Sequence, residues 1–498
     1  MKRYSISLTV ILLLLTAVLE TGCDKLLEEK PKSTISLGNL DPNLLEQTVI
    51  GVYEPLTRSR GRLWESTIGL GFELMAEYAD AGGSSQINWS NYNNLNTSNT
   101  ALNQPWTTLY EAIGRANSLI VTLDNSPNLP DDIRKVAYGE AYFVRAICFY
   151  FAVRTFGKFP MRLKPILNSK DVLLASSDIP VIYDQIIKDL QEAEKVLPPT
   201  VPSSKAGRAT AGAAKTALAD VYLTRGDYPN AKLKAKEVID NKATYGYDLE
   251  TSLATLYSPT LPTNKEDIFS LKFSQVINQG SFMASYWADA NAKAAGFSIS
   301  GNKFGGITSN APLIKNWDDN DLRKKFSLYN SYIINGVVTP ASLDADYDFR
   351  MGKYKDPNAP IDTGNGNDLY FWRYADVLLI FAEADNKINH GPTTEAYDYI
   401  NQVRRRAYGL PINTPSNVSD LPAGLNEEAF DDLVFRERGY EFIGEFKRWF
   451  DLVRTNRVAK MINEVRANIP RPNRKPVPSR FTFAIPDVEL LNNPLAGN

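Results

Sequence analysis

The stretch ATAGAAKTALADVYLTRGDYPNAKLKAKEVID (209–240) constrains the fold more than any other. Apolar residues recur at helical spacing on both sides of Arg225-Gly226-Asp227-Tyr228, so it reads as two amphipathic helices around a tight turn. Small residues mark the contact faces: Ala213, Ala214, Ala217 and Ala219 in the first helix, Ala231 and Ala235 in the second. Small side chains let helix axes approach closely, but one such pair cannot bury its apolar faces alone, so further copies must stack on it. A second copy is RYADVLLIFAEADNKINHGPTTEAYDYINQVRRRAYG (373–409), with Ala382, Ala384 and Ala396 at comparable places. Looser copies join EAYFVRAICFYFAV (140–153) to IPVIYDQIIKDLQEAEKVL (179–197), and LNEEAFDDLVFRERGYEFIGE (425–445) to FKRWFDLVRTNRV (446–458).

Repeated helix–turn–helix units of this length follow the tetratricopeptide pattern. The expected fold is mainly all-α, an α-superhelix of about four tetratricopeptide-like helix pairs with a long irregular insertion. Helices are also expected in DPNLLEQTVIGVYEPLTR (41–58), where Asp41 and Pro42 are start signals, and in PWTTLYEAIGRANSLIVTL (105–123). Another is expected in DDIRKVAYGEAYFVRAICFYFAVRTFG (131–157), ended by Gly157 and then Pro160. The insertion, 245–370, is rich in Gly, Asn, Ser and Tyr and lacks helical periodicity; loops, short strands and a few helical turns are expected. A second irregular segment covers 81–104. Residues 39–498 read as one domain with an N-terminal part (39–244), the insertion (245–370) and a C-terminal part (371–498).

The first residues carry an address. MKRYSISLTVILLLLTAVLETGC begins with Lys2 and Arg3 and continues with an apolar core from Ile6 to Leu19, too short to span a bilayer. This is the form of a secretory signal, expected over 1–22. Gly22-Cys23 resembles the bacterial lipobox, with Glu20 where that motif usually has Leu, so Cys23 is the expected lipidation site and 23–38 a lipidated tether. No later segment is expected to be long and apolar enough to span a membrane.

Composition removes several functions. A formal net charge of −2 gives no electrostatic footprint for nucleic acid. The single histidine, His390, excludes clustered-histidine zinc sites, and its turn context argues against catalysis. Walker loops, GxGxxG after a strand and GxSxG elbows are missing from the sequence. Asp318, Asp319 and Asp321 lack the spacing of an EF-hand, and Asp321 is expected to cap a helix. No metal or cofactor is expected. Cys148 lies in an apolar helical pattern and is expected to be buried and inert.

Four segments in combination carry a resemblance: GEAYFVRAICFYFAVRTFGKFPM, RYADVLLIFAEADN with AYDYINQVRRRAYG, FRERGYEFIGEFKRWFDLVR and the C-terminal FAIPDVELLNNP. Together they resemble the SusD/RagB family of Bacteroidetes outer-membrane nutrient-binding lipoproteins, from Cys23 to the C-terminus. The resemblance implies a lipid-anchored protein of the outer membrane, facing the cell exterior. It would bind an oligo- or polysaccharide and deliver it to a TonB-dependent transporter of the SusC type without breaking a bond. Peptide or another nutrient is the alternative cargo, and a glycoside hydrolase using paired carboxylates is a remote one. Arg436, Glu437, Arg438, Glu441, Arg448 and Asp451 read as a salt-bridged lock on the last repeat, and Glu383 and Arg404–Arg406 as ties between units.

Sugars offer flat C–H faces and hydroxyl rims, so a site for them needs aromatic platforms beside amides or carboxylates. SQINWSNYNNLNTSN (85–99) supplies Trp89 and Tyr92 as platforms and Asn93, with Gln86, Asn88, Asn91 and Asn94, as amides. Glu77 and Asp80 offer carboxylates nearby, in the neighbourhood where the family resemblance implies glycan contact. Tyr286, Trp287 and Trp317 in the insertion are the candidate second aromatic group.

Overall fold

The computed structural model describes residues 40–58, 68–81, 86–95, 102–289, 291–295, 297, 304–343, 347–360, 365–469 and 475–497. The expected signal, Cys23 and the tether lie outside the described residues.

Asp41 starts helix α1 (Pro42–Thr57): its carboxylate accepts the backbone N–H groups of Asn43 and Leu44 at 2.8 and 2.9 Å. Two such bonds satisfy donors that a helix start would otherwise leave orphaned. Leu45, Val49 and Val52, one face of that helix, are buried. Two short helices, α2 (Ile68–Met75) and α3 (Ile87–Ser90), precede α4 (Asn103–Asp124) and α5 (Asp131–Phe156). Then come α6 (Ile179–Val196), α7 (Ala211–Arg225) and α8 (Tyr228–Asp240). Beyond the insertion lie α9 (Tyr374–Asn389), α10 (Thr394–Ala407), α11 (Glu427–Glu441) and α12 (Arg448–Arg454).

The helices stack in chain order: α1 on α4, α4 on α5, α5 on α6, α6 on α7 and α7 on α8. Helix α8 then packs on α9, which contacts both α10 and α11, so the insertion interrupts the sequence but not the stack. The seam alanines Ala213, Ala214, Ala217, Ala231 and Ala235 are all buried. Gly226 turns the chain between α7 and α8 with φ of 74°, a left-handed conformation that costs glycine least. The fourth helix pair is the degenerate one, because α12 has seven residues.

Helix α5 corrects one expectation. It is long and apolar enough to cross a membrane by length and composition, but 83% of its apolar window is buried inside the protein. It is the core helix, held to α6 by two bonds from Arg145 to Asp189 at 2.7 and 2.8 Å. Cys148 on this helix is fully buried, and burial pushes its thiol far above the usual range.

The insertion is made of short strand pairs and helical turns. Asp267–Leu271 pairs antiparallel with Leu369–Arg373 across its two ends, next to α9. Gly306–Ile307 pairs with Ala79–Asp80, bringing the insertion against the early irregular segment. A buried ionic cluster fixes it to the repeats. Arg373 meets Glu266, Glu441 and Glu445; Arg406 meets Glu266 and Glu441; and Arg323 meets Asp321, Glu437 and Glu441. Burial pushes the Glu445 carboxyl up, but Arg373 and Lys353 outweigh it and hold it down at about 2.

Candidate functional site

The ladder of Ala79–Asp80 with Gly306–Ile307 brings together most of the residues that the sequence nominates. Helix α2 leads into Glu77 and Asp80, α3 carries Trp89, and Tyr92 follows with φ of 60°. From the insertion, Trp287 packs against Gly305, where a Cβ would lie 2.6 Å from its ring, and Tyr286 stacks on Phe304 at 5.7 Å. Trp317 lies with another partner: it stacks on Tyr440 of α11 at 4.8 Å, and its Nε1 donates to Asp321 at 2.9 Å.

The expected roles of these side chains require correction. Glu77, Asp80, Trp89, Tyr92, Tyr286, Trp287 and Trp317 are each between 1% and 8% exposed. A ring so covered presents no face to a sugar, and a carboxylate so covered has its acceptors engaged from within. Glu77 accepts Nε and Nη2 of Arg448 at 2.9 and 2.5 Å. Asp80 accepts the Tyr347 hydroxyl at 2.8 Å. The Tyr92 hydroxyl donates to the Met75 carbonyl at 2.9 Å, and its ring lies 5.7 Å from Trp449. Trp89 meets Phe483 edge-on at 5.5 Å and covers Gly71, where a Cβ would come within 2.5 Å of the indole. These aromatics are framework, and the hydrophobic area they bury stabilises the corner where early segment, insertion and C-terminus meet.

The amides behave differently. Asn88 and Asn93 are exposed and Asn91 is half-buried. The Asn93 backbone donates to Asn91 Oδ1 at 3.1 Å, and Asn93 Nδ2 approaches Asn88 Oδ1 at 3.4 Å. An outward row of planar amides, set over a rigid aromatic floor, can exchange hydrogen bonds with hydroxyl groups in solution.

Sequence reasoning missed Lys475 and Tyr347. Lys475 is 1% exposed and donates to the carbonyls of Leu74 and Ala79 at 3.0 and 2.6 Å. Burial lowers its ammonium pKa to about 8, with Asp80 and Glu77 opposing. It closes the turn between α2 and Asp80 from a position 401 residues away from Leu74, which no local pattern announces. Asp321 caps Leu322–Ser327 through the Arg323 N–H, as its position implies. His390 is the left-handed cap of α9, with Nδ1 3.1 Å from Glu427. Among the described residues no cluster of three His, Cys, Asp or Glu side chains could hold a metal ion.

Two family models match. The SusD family model covers 281–471, and a model described as "Starch-binding associating with outer membrane" covers 25–223. SusD-like protein P2 of Formosa agariphila is 30% identical, over 99% of this chain and 98% of its own. A SusD homolog from Bacteroides thetaiotaomicron superposes with a TM-score of 0.77 at 23% identity, over 91% of this chain and 96% of that one. A laminarin-binding SusD-like protein superposes with a TM-score of 0.72 at 21% identity, over 92% and 98%.

Proposed function

The chain belongs to the SusD family, and from that premise we propose that it is a glycan-binding lipoprotein of the outer cell surface that passes its ligand to a SusC-type TonB-dependent transporter. The end-to-end match to SusD-like protein P2 carries this reading, and the name of the laminarin-binding neighbour supports glycan as the cargo class. Cys23 would carry the lipid, and 23–38 would be the tether between membrane and fold. A lipidated cysteine with more than one acyl chain gives stable anchoring, whereas a single chain binds reversibly.

The proposed contact surface is the outward amide row of Asn88, Asn91 and Asn93. Trp89 and Tyr92 hold it from beneath, and Glu77 with Arg448 fixes the turn behind it. Hydroxyl groups of a sugar exchange water for these amides, and no proton has to be transferred. The protein holds its ligand and leaves the glycosidic bond intact.

Affinity electrophoresis of the chain from residue 24 onward, in gels containing laminarin, starch and other polysaccharides, tests the reading together with a reducing-end assay. Retardation by at least one polysaccharide with no new reducing ends is expected. Failure to bind any polysaccharide, preferential binding of peptides, or release of new reducing ends would overturn it.

A further inference from the structure

A cleft of about 70 Å³ opens between α5, α7 and the segment around α12. Four cations and four carboxylates line it, and most of them neutralise one another or a neighbour. Arg438 and Arg454 share Asp451, Arg454 also holds Glu383, Lys447 meets Asp376, and Glu445 lies against Arg373 and Lys353. Two charges are left over, Arg154 and Asp220.

Arg154 projects from α5 with its guanidinium 3.6 Å from the Tyr150 ring centroid and 4.2 Å from that of Phe450. Its Nε donates to the Tyr150 carbonyl at 3.2 Å, and among the described residues no carboxylate lies within ion-pair distance of it. Two rings and one backbone bond thus fix the plane of the fork while its outer N–H groups keep their donors, the arrangement that receives a carboxylate in bidentate fashion. On the facing helix, Asp220 accepts one bond from Trp372 Nε1 at 3.1 Å and meets no cation among the described residues. Thr224, one turn on, shares a 2.6 Å contact with the Tyr150 hydroxyl. Tyr150 therefore joins both sides, since its ring underlies Arg154 and its hydroxyl reaches Thr224 and the Asp220 carbonyl. Between them the wall is apolar: Phe72 and Phe450 have centroids 4.6 Å apart, with Phe151 beside them.

We propose that this cleft binds a free α-amino acid with an apolar side chain. Arg154 takes the carboxylate, Asp220 takes the ammonium and the phenylalanine wall takes the side chain. A neutral sugar would leave both charges uncompensated, and a simple anion would leave Asp220 opposed to it. A zwitterion satisfies both at once.

Isothermal titration of the chain from residue 24 onward with each of the free amino acids is the test. At least one apolar amino acid should bind. Its N-acetyl derivative, which lacks the ammonium, and its amide, which lacks the carboxylate, should each bind at least about tenfold more weakly. Arg154→Gln and Asp220→Asn should each cause a similar loss, while each variant still unfolds cooperatively and keeps its polysaccharide retardation. Absence of binding by every amino acid, or equal binding of the N-acetyl derivative or of glucuronate, would overturn the proposal. Polysaccharide retardation is read separately, so failure here is distinguishable from failure of the glycan reading.

Discussion

Arg448 holds Glu77 across 371 residues of sequence, with both side chains buried. Its guanidinium also donates to the Phe435 carbonyl at 2.9 Å and lies 3.8 Å from the Phe435 ring. The last repeat therefore clamps the turn that precedes the amide row. Removing one partner leaves a buried charge without compensation, whereas removing both does not. Glu77→Ala should lower stability by about 3–5 kcal/mol. Glu77→Leu combined with Arg448→Met should recover a substantial part of that loss, as read by denaturant unfolding. Equal losses in the single and double variants would refute a coupled pair.

Trp89 and Gly71 form the neighbouring contact, which works through shape. Trp89→Ala should cost about 3–5 kcal/mol through the cavity it leaves. Gly71→Ala should cost about 1–3 kcal/mol, because its Cβ would enter the indole. Combining Gly71→Ala with Trp89→Phe should cost less than the sum, since the smaller ring leaves room for the added methyl. Additive losses in thermal or denaturant unfolding would show that the two residues do not share this space.

What the sequence disclosed, and what it hid, follows from range. Helices α1, α7, α8, α9 and α10 announce themselves through caps, alanine seams and 3.6-residue periodicity, all local signals. The stacking of α8 on α9 also follows, because each pair needs a neighbour for its apolar face. Glu383 does tie units together through Arg454, and Arg404–Arg406 pair with Glu437, Asp420, Glu441 and Glu266. The nominated rings were legible as neighbours and misread as exposed. Trp89, Trp287 and Tyr286 do gather near one corner, yet whether a ring faces water depends on distant partners such as Phe483, Gly305 and Phe304. Lys475 and Tyr347 arrive from still farther along the chain, and a lone lysine in an irregular segment carries no sign that it will be buried.

Glu73 gives the fold a pH dependence of definite sign. Burial raises its carboxyl to about 7, despite bonds from the Tyr78 hydroxyl and the Phe446 N–H that favour the charged form. Between the unfolded value near 4.5 and about 7 the folded chain holds a proton that the unfolded chain has released. The stability contributed by this group is therefore complete below the unfolded value and is lost as pH rises through about 7. The loss is on the order of 3 kcal/mol. Glu73→Gln should flatten the unfolding free energy across that interval relative to the unsubstituted chain. An unchanged slope in the variant would assign the dependence to other groups.

The amide row yields the opposite pattern, loss of function without loss of stability. Asn88 and Asn93 are exposed, and their bonds run among themselves and Asn91. Replacing an exposed residue that closes no buried network changes stability by less than about 0.5 kcal/mol. Asn88→Ala and Asn93→Ala should therefore unfold like the unsubstituted chain. If these amides meet the glycan, each should weaken polysaccharide binding severalfold, since a hydrogen bond of ordinary strength contributes about 1 kcal/mol. The double variant should abolish retardation in affinity gels while its thermal midpoint stays in place. Trp89→Phe, which keeps a ring in the floor, should retain most of the binding. Unimpaired binding in the double asparagine variant would move the glycan site away from α3.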